Sequence, residues 1–441
     1  MSKPTLLVES LLDYIDNSPS PWHAVSTTVE YLSEAGFEEL LEVEDWVLES
    51  GKGYYVVRDQ SSMIAFKCGA ETPEKSGFRI IGAHTDSPGL RIKPNPITTT
   101  GPWVKLGVEV YGGPILATFA DRDLSLAGRV SVRTGDDVHD IDSRLVVFEK
   151  SMLRLPNLAI HLNRKVNQEG LKFNQQTELP LILELAADGG KNKNDSRFKE
   201  ILATALEVDC DDILAWEMAV YDVQKGSLFG LEDEFYCNSQ LDNLASCHAS
   251  LTAMLSNVKD SDKKSNATQM LAFFDHEEVG SQSSKGADGS FLGDILLRIN
   301  CAQKLSNQQH LQAIAKSYML SADMAHAWHP NYPDKHDPKH RPLINHGPVL
   351  KINSNHRYTT DSKTEALFIN ICEKADIPYQ KFVNRSDLAC GSTIGPLAAA
   401  NNGIRSLDVG NPMWAMHSIR ESAGVKDHEY MIKAMAAFLE C

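Results

Sequence analysis

Residues 271–280 read LAFFDHEEVG, an apolar run that breaks directly into Asp275, His276, Glu277 and Glu278. Four consecutive apolar residues bounded by charge predict a buried strand, and in a parallel sheet a strand's carboxyl end is where a site opens. Two adjacent carboxylates at such an end repel each other and resist desolvation unless a cation compensates them. If the strand continues in extended form, Glu277 and Glu278 point to opposite sides, so that one can hold a metal and the other a water.

Four further pieces supply the rest of a metal site: HTD (84–86), LDN (241–243), AD (322–323) and MHS (416–418). A two-metal hydrolase needs a carboxylate bridging ions roughly 3.5–4 Å apart, further N/O ligands, and a shared water that becomes the nucleophile. His84, Asp242, Glu278, Asp323 and His417 fill that inventory. With imidazole and carboxylate but no thiolate, the set suits Zn²⁺ and also admits Mn²⁺ or Co²⁺. Asp86, two residues after His84, is placed to take the second imidazole N–H and fix the ligating tautomer. Taken singly, Asp242 reads as a helix cap and His84, Asp323 and His417 as satisfied polar residues at strand ends. Their joint occurrence with the glutamate pair favours the metal reading.

Composition sets the frame. At 441 residues the chain exceeds what one core usually supports, and 42% hydrophobic residues suffice for two ordinary ones. A net charge of −16 argues against nucleic acid or an anionic membrane as partner. The eight cysteines form no CxxC pair, which reads as reduced thiols and a cytoplasmic location, and neither a leader nor a membrane span is legible.

Amphipathic helices are expected at 5–16 and 22–35, and strands at 54–58, 62–69 and 78–84. Alternating segments such as VKLGVEVYGG (104–113), RVSVRT (129–134) and RLVVFE (144–149) then make a β-rich stretch. From 235 onward helices and strands alternate as in an α/β sheet, with helices in 244–255, 362–375 and 427–439. The expected architecture is an α/β catalytic domain, residues 1–96 with 235–441, split by an inserted β-rich domain, 97–234. Polar tracts at 187–199 and 258–268 read as exposed loops. The histidine-rich loop 324–347 reads as a stiff wall beside the site. His161, in LAIHLNR, sits on a strand-like run, and Lys351, in VLKIN, reads as a charge on an edge strand.

The segments SPSPWHAV (18–25), HTDSPGLRIKPNP (84–96), NSQLDN (238–243), FDHEEVGS (274–281), SADMAHAWHPNY (321–332), GSTIGP (391–396) and MHSIRE (416–421) together resemble the M18 family of metallo-aminopeptidases. The resemblance implies a two-metal zinc-peptidase-like fold whose inserted domain makes oligomer contacts. It also implies a cytosolic enzyme removing N-terminal residues, preferably Asp or Glu, from peptides. By motif match, His84, Asp242 and Asp323 hold one of two Zn²⁺, Asp242, Glu278 and His417 hold the other, and Glu277 is the general base. His161 is implied to support the oxyanion in a neighbouring subunit of a dodecamer built from dimers, and Lys351 to face the acidic substrate side chain. Two rivals stay open: a two-metal amidase or deacetylase acting on small acylated amino acids, and a non-catalytic scaffold on the same fold.

Overall fold

Along Phe78–His84, Phe78 and Ile80 enter one apolar cluster while Ile81 and Ala83 enter another. Thr268–Phe274 divides the same way, with Met270, Ala272 and Phe274 on one side and Leu271 and Phe273 on the other. Successive side chains of a strand point to opposite faces, so a strand apolar at every position must be covered on both. The computed structural model, which describes residues 3–186, 196–259 and 265–441, places these two strands side by side and parallel at the centre of a nine-stranded sheet.

The strands of that sheet are β1 (Glu38–Glu39), β2 (Gly53–Arg58), β3 (Ser62–Lys67), β4 (Phe78–His84), β5 (Thr268–Phe274), β6 (Tyr318–Ala322), β7 (Val349–Ile352), β8 (Gln380–Val383) and β9 (Arg405–Gly410). Their spatial order is β1-β2-β3-β5-β4-β6-β9-β7-β8. The inner run β5-β4-β6-β9 is parallel, so the carboxyl ends of all four strands share one edge. Helices α1 (Lys3–Asp16), α2 (Pro21–Glu34), α3 (Leu241–Lys259), α4 (Ser362–Lys374) and α5 (Val425–Leu439) pack one face; Phe291–Ala302, Asn307–Lys316 and Ile394–Asn402 pack the other. In α1 the buried Val8, Leu11, Leu12 and Ile15 fall at helical spacing. A five-stranded sheet in the order Ser227–Phe229, Phe235–Asn238, Glu421–Gly424, Pro412–Trp414, Ala325–His326 completes this unit.

The chain divides into two compact units, Met1–Asp86 with Gly226–Met416 and Glu421–Cys441, and Ser87–Lys225 with His417–Arg420. The second unit contains a six-stranded antiparallel sheet and its own core, including Leu106, Leu126, Val130 and Phe198. The protein is therefore mixed α/β, with the α/β sheet and the β-rich sheet in separate units.

Several local expectations change. The polar tract at 187–199 lies outside the described residues up to 195 and is helical from Arg197, in Arg197–Leu206. In the tract at 258–268, residues 260–264 lie outside the described residues and strand begins at Thr268. The LAIHLNR stretch is no strand: 160–162 form an exposed turn closed by Leu162 N–H donating to Ala159 O at 2.8 Å. Lys351 is not on an edge, because β7 is paired on both sides. None of the eight cysteines is in a disulfide, but only Cys68, Cys247 and Cys372 are buried. Among the described residues no helix is long and apolar enough to cross a membrane.

Candidate metal centre

His84 closes β4, and its two nitrogens face different company. Nδ1 donates to the backbone carbonyl of Asp86 at 3.0 Å, since a carbonyl only accepts. That leaves the Nε2 side toward Asp242 Oδ1 at 3.4 Å, Asp323 Oδ1 at 3.7 Å and Glu277 Oε2 at 3.9 Å. Burial disfavours the imidazolium, but hydrogen bonding to Asp242, Asp323 and Asp86 outweighs burial and holds the proton well above the usual histidine range. The lone pair that keeps this proton is the one a metal ion would take.

The acids reach Nε2 from three elements: the turn after β5, the head of α3 and the end of β6. After β5 ends at Phe274, His276 adopts a left-handed conformation (φ 65°, ψ 19°), and Glu277–Val279 form a short 3₁₀ turn. Glu277 and Glu278 thus lie on a turn rather than on an extended strand, because β5 ends at Phe274 and the left-handed His276 redirects the chain before either glutamate. Asp86 fixes this turn: its Oδ1 accepts from Glu277 N–H and its Oδ2 from Glu278 N–H, both at 3.1 Å. The tautomer contact expected of its carboxylate is made chiefly by its backbone oxygen, with Oδ1 at 3.4 Å from Nδ1. Burial first, then neighbouring carboxylates, push Glu277 up to about 8 and Glu278 well above the carboxylate range.

Asp242 lies at the head of α3 with non-helical backbone (φ −84°, ψ 101°), and its N–H donates to Glu421 Oε2 at 3.0 Å. Asp323 follows β6; its N–H donates to Val409 O at 3.1 Å, and its Oδ2 accepts from Lys351 Nζ at 2.9 Å. Lys351 is 3% exposed and also donates to Met324 O at 2.9 Å. Glu421, buried at 2%, is the residue that the sequence did not single out, since nothing local marks the acid of ESAG as a partner for Asp242.

Two sets in this unit, His84 with Glu277 and Glu278, and His84 with Asp242 and Asp323, bring ligand atoms within 4.8 Å of one another. Five carboxylates (Asp86, Asp242, Glu277, Glu278 and Asp323) thus gather about one imidazole and one ammonium. The donor set is oxygen and imidazole nitrogen throughout, which fits zinc. His417 belongs to the other unit, where its Nδ1 donates to Gly113 O at 3.1 Å; the flanking Met416 and Glu421 belong to the first. His161 sits exposed on its turn. Of the loop histidines, His326 packs edge-on against Phe382, His329 packs against Tyr332 and His340 pairs with Asp337; none joins a metal-holding group among the described residues.

The model of the aminopeptidase I zinc metalloprotease (M18) family matches residues 14–439. A probable M18 family aminopeptidase 2 of Pseudomonas aeruginosa (strain UCBPP-PA14) is 46% identical over 432 residues, covering 98% of this chain and 97% of the relative. Its namesake from Clostridium novyi (strain NT) is 44% identical over 440 residues, covering 99% of each. Among solved structures, the cryo-EM structure of the Ape4 and Nbr1 complex superposes with a TM-score of 0.93 at 37% identity, covering 99% of this chain and 86% of that one. The S. cerevesiae mApe1 dodecamer gives 0.84 at 26% identity, covering 98% and 95%.

Proposed function

Because the chain belongs to the M18 family of zinc metalloproteases and is a zinc-dependent aminopeptidase, we propose that it removes N-terminal residues, preferably Asp or Glu, from peptides, using a water activated between two metal ions. The observation that carries this reading is the gathering of five carboxylates about His84 at the carboxyl edge of a parallel sheet. An uncompensated group of acids is costly to bury, and divalent cations are the compensation that its donor chemistry suits.

In this reading His84 and Asp323 would hold one ion and Asp242 would bridge; the motif match assigns Glu278 and His417 to the second. The pair supplies Lewis acidity and lowers the pKa of a shared water. Glu277 accepts that water's proton and returns it to the leaving amine. Asp86 keeps Glu277 and Glu278 in place through their backbone amides. Lys351 is the candidate for acidic selectivity: it stands beside Asp323, and two of its three N–H donors are already directed at Asp323 and Met324. His161 is assigned oxyanion support in a neighbouring subunit of a dodecamer, an arrangement in keeping with its exposed turn and with the dodecameric S. cerevesiae neighbour. The cytoplasm is the proposed compartment.

A panel of Asp-, Glu-, Ala- and Leu-amides and their N-acetylated forms tests the reading. Fastest turnover of the free-amine acidic substrates is expected; faster turnover of neutral residues would overturn the acidic preference, and faster turnover of acylated ones would favour the amidase. Mixed oligomers of His161→Ala and Glu277→Gln chains are expected to regain activity, and their failure would place His161 outside the neighbour's site.

A further inference from the structure

Asp408, on β9, is fully buried, and every direction of its carboxylate is occupied by a donor. Oδ1 accepts from Ser321 Oγ and Thr393 Oγ1, each at 2.6 Å. Oδ2 accepts from Thr359 N–H at 2.6 Å and Thr359 Oγ1 at 2.9 Å, while Asp408 N–H donates to Thr360 Oγ1 at 2.9 Å. An ionised carboxylate has about four lone-pair sites, so this one is saturated by neutral donors. It joins three segments to its own strand: β6 two residues before Asp323, residues 359–360, and Thr393, which precedes the helix Ile394–Asn402. The close fit continues at Gly395, where a Cβ would lie 2.8 Å from Asp408 Oδ2 and 2.9 Å from Ser321 Oγ.

These segments surround one feature. Tyr358, the residue before Thr359, is buried with its ring 5.2 Å from Lys351 Nζ, and Lys351 lies directly opposite Asp408 across the β7–β9 pair. From this we infer that Asp408 is a positioning residue for substrate selection: it holds Tyr358 against Lys351, so that the wall meeting the substrate's acidic side chain is preset. The inference rests on the proposed acidic preference and adds a residue that touches neither substrate nor metal.

Asp408→Asn puts an N–H where two donors now converge, whichever way the amide turns; Thr393→Val removes one donor while keeping the side chain's shape. The experiment measures kcat and KM on Asp- and Ala-amides, zinc per chain and Tm for both variants. The ratio of kcat/KM on the acidic to the neutral substrate should fall about tenfold in Asp408→Asn and less in Thr393→Val, mainly through KM for the acidic substrate, with zinc content retained. A merely structural role would lower both substrates equally and lower Tm with them. If Asp408→Asn does not fold, Thr393→Val carries the test alone. A wild type that prefers Asp and variants that keep that preference would overturn the inference by itself; a wild type with no acidic preference would overturn the functional reading and this inference together.

Discussion

His84 and His248 are both buried in the first unit, at 1% and 2% exposure, yet their chemistry runs in opposite directions. His248, on α3, has Nδ1 at 2.9 Å from His428 Nε2 and Nε2 at 3.1 Å from Ser10 Oγ, with the Tyr14 ring at 5.5 Å. Burial pushes His248 down to about 3 and His428 well below the histidine range. Burial acts on His84 in the same sense, but the carboxylates about Nε2 reverse the outcome. Depth alone therefore makes a histidine inert; depth among acids makes it more basic. In the sequence the two are alike, each a histidine in an apolar stretch.

Three substitutions probe this contrast. On the acid side, Glu277→Gln should lower kcat by about 10²–10⁴-fold, the usual contribution of general acid–base catalysis, while bound zinc is retained; a loss smaller than about tenfold would remove Glu277 from the base role. Lys351→Ala should cost acidic substrates roughly tenfold or more in kcat/KM relative to neutral ones, as a charge-assisted hydrogen bond is worth. Equal losses on both would place selectivity elsewhere. On the neutral side the effect is smaller and appears in stability. Because His248 titrates lower in the folded protein than the roughly 6.5 of an unfolded chain, the unfolded state binds more protons below that pH. The folded protein thus keeps its full stability above about 6.5 and loses up to about 1.4 kcal/mol per pH unit per such histidine as pH falls toward 3. Tm measured against pH at constant zinc should decline less steeply in His248→Gln than in wild type, and identical slopes would contradict the neutral-pair description.

What the sequence made legible follows the same division between local and distant causes. The runs FRIIGAH and LAFF become β4 and the end of β5 because continuous apolar character suits strands covered on both faces. The helices expected at 5–16, 22–35 and 362–375 stand at Lys3–Asp16, Pro21–Glu34 and Ser362–Lys374, the last started by a capping box at Asp361. The gathering of His84, Asp242, Glu277, Glu278 and Asp323 was anticipated, since His84, the glutamate pair and Asp323 follow apolar runs and Asp242 precedes one. The left-handed residue at His276 was not, because a single conformational reversal leaves no period to read. LAIHLNR carries strand-like character yet forms an exposed turn, with Leu158, Ile160 and Leu162 at 59%, 48% and 75% exposure. Lys351 looked like an edge charge because its pairing to Asp323 spans 28 residues, and the Glu421–Asp242 contact spans 179. Contacts at such separation leave no local pattern.

In the proposed function, two divalent ions bridged by Asp242 would hold together the acids around His84. Metal analysis of the purified full chain, beside Asp242→Ala prepared identically, tests it directly. Two zinc ions per chain are expected in the wild type and loss of metal at both positions in the variant, with both proteins folded by circular dichroism. A wild type holding fewer than two ions when zinc is supplied in excess, or an Asp242→Ala chain that still holds two, would contradict it.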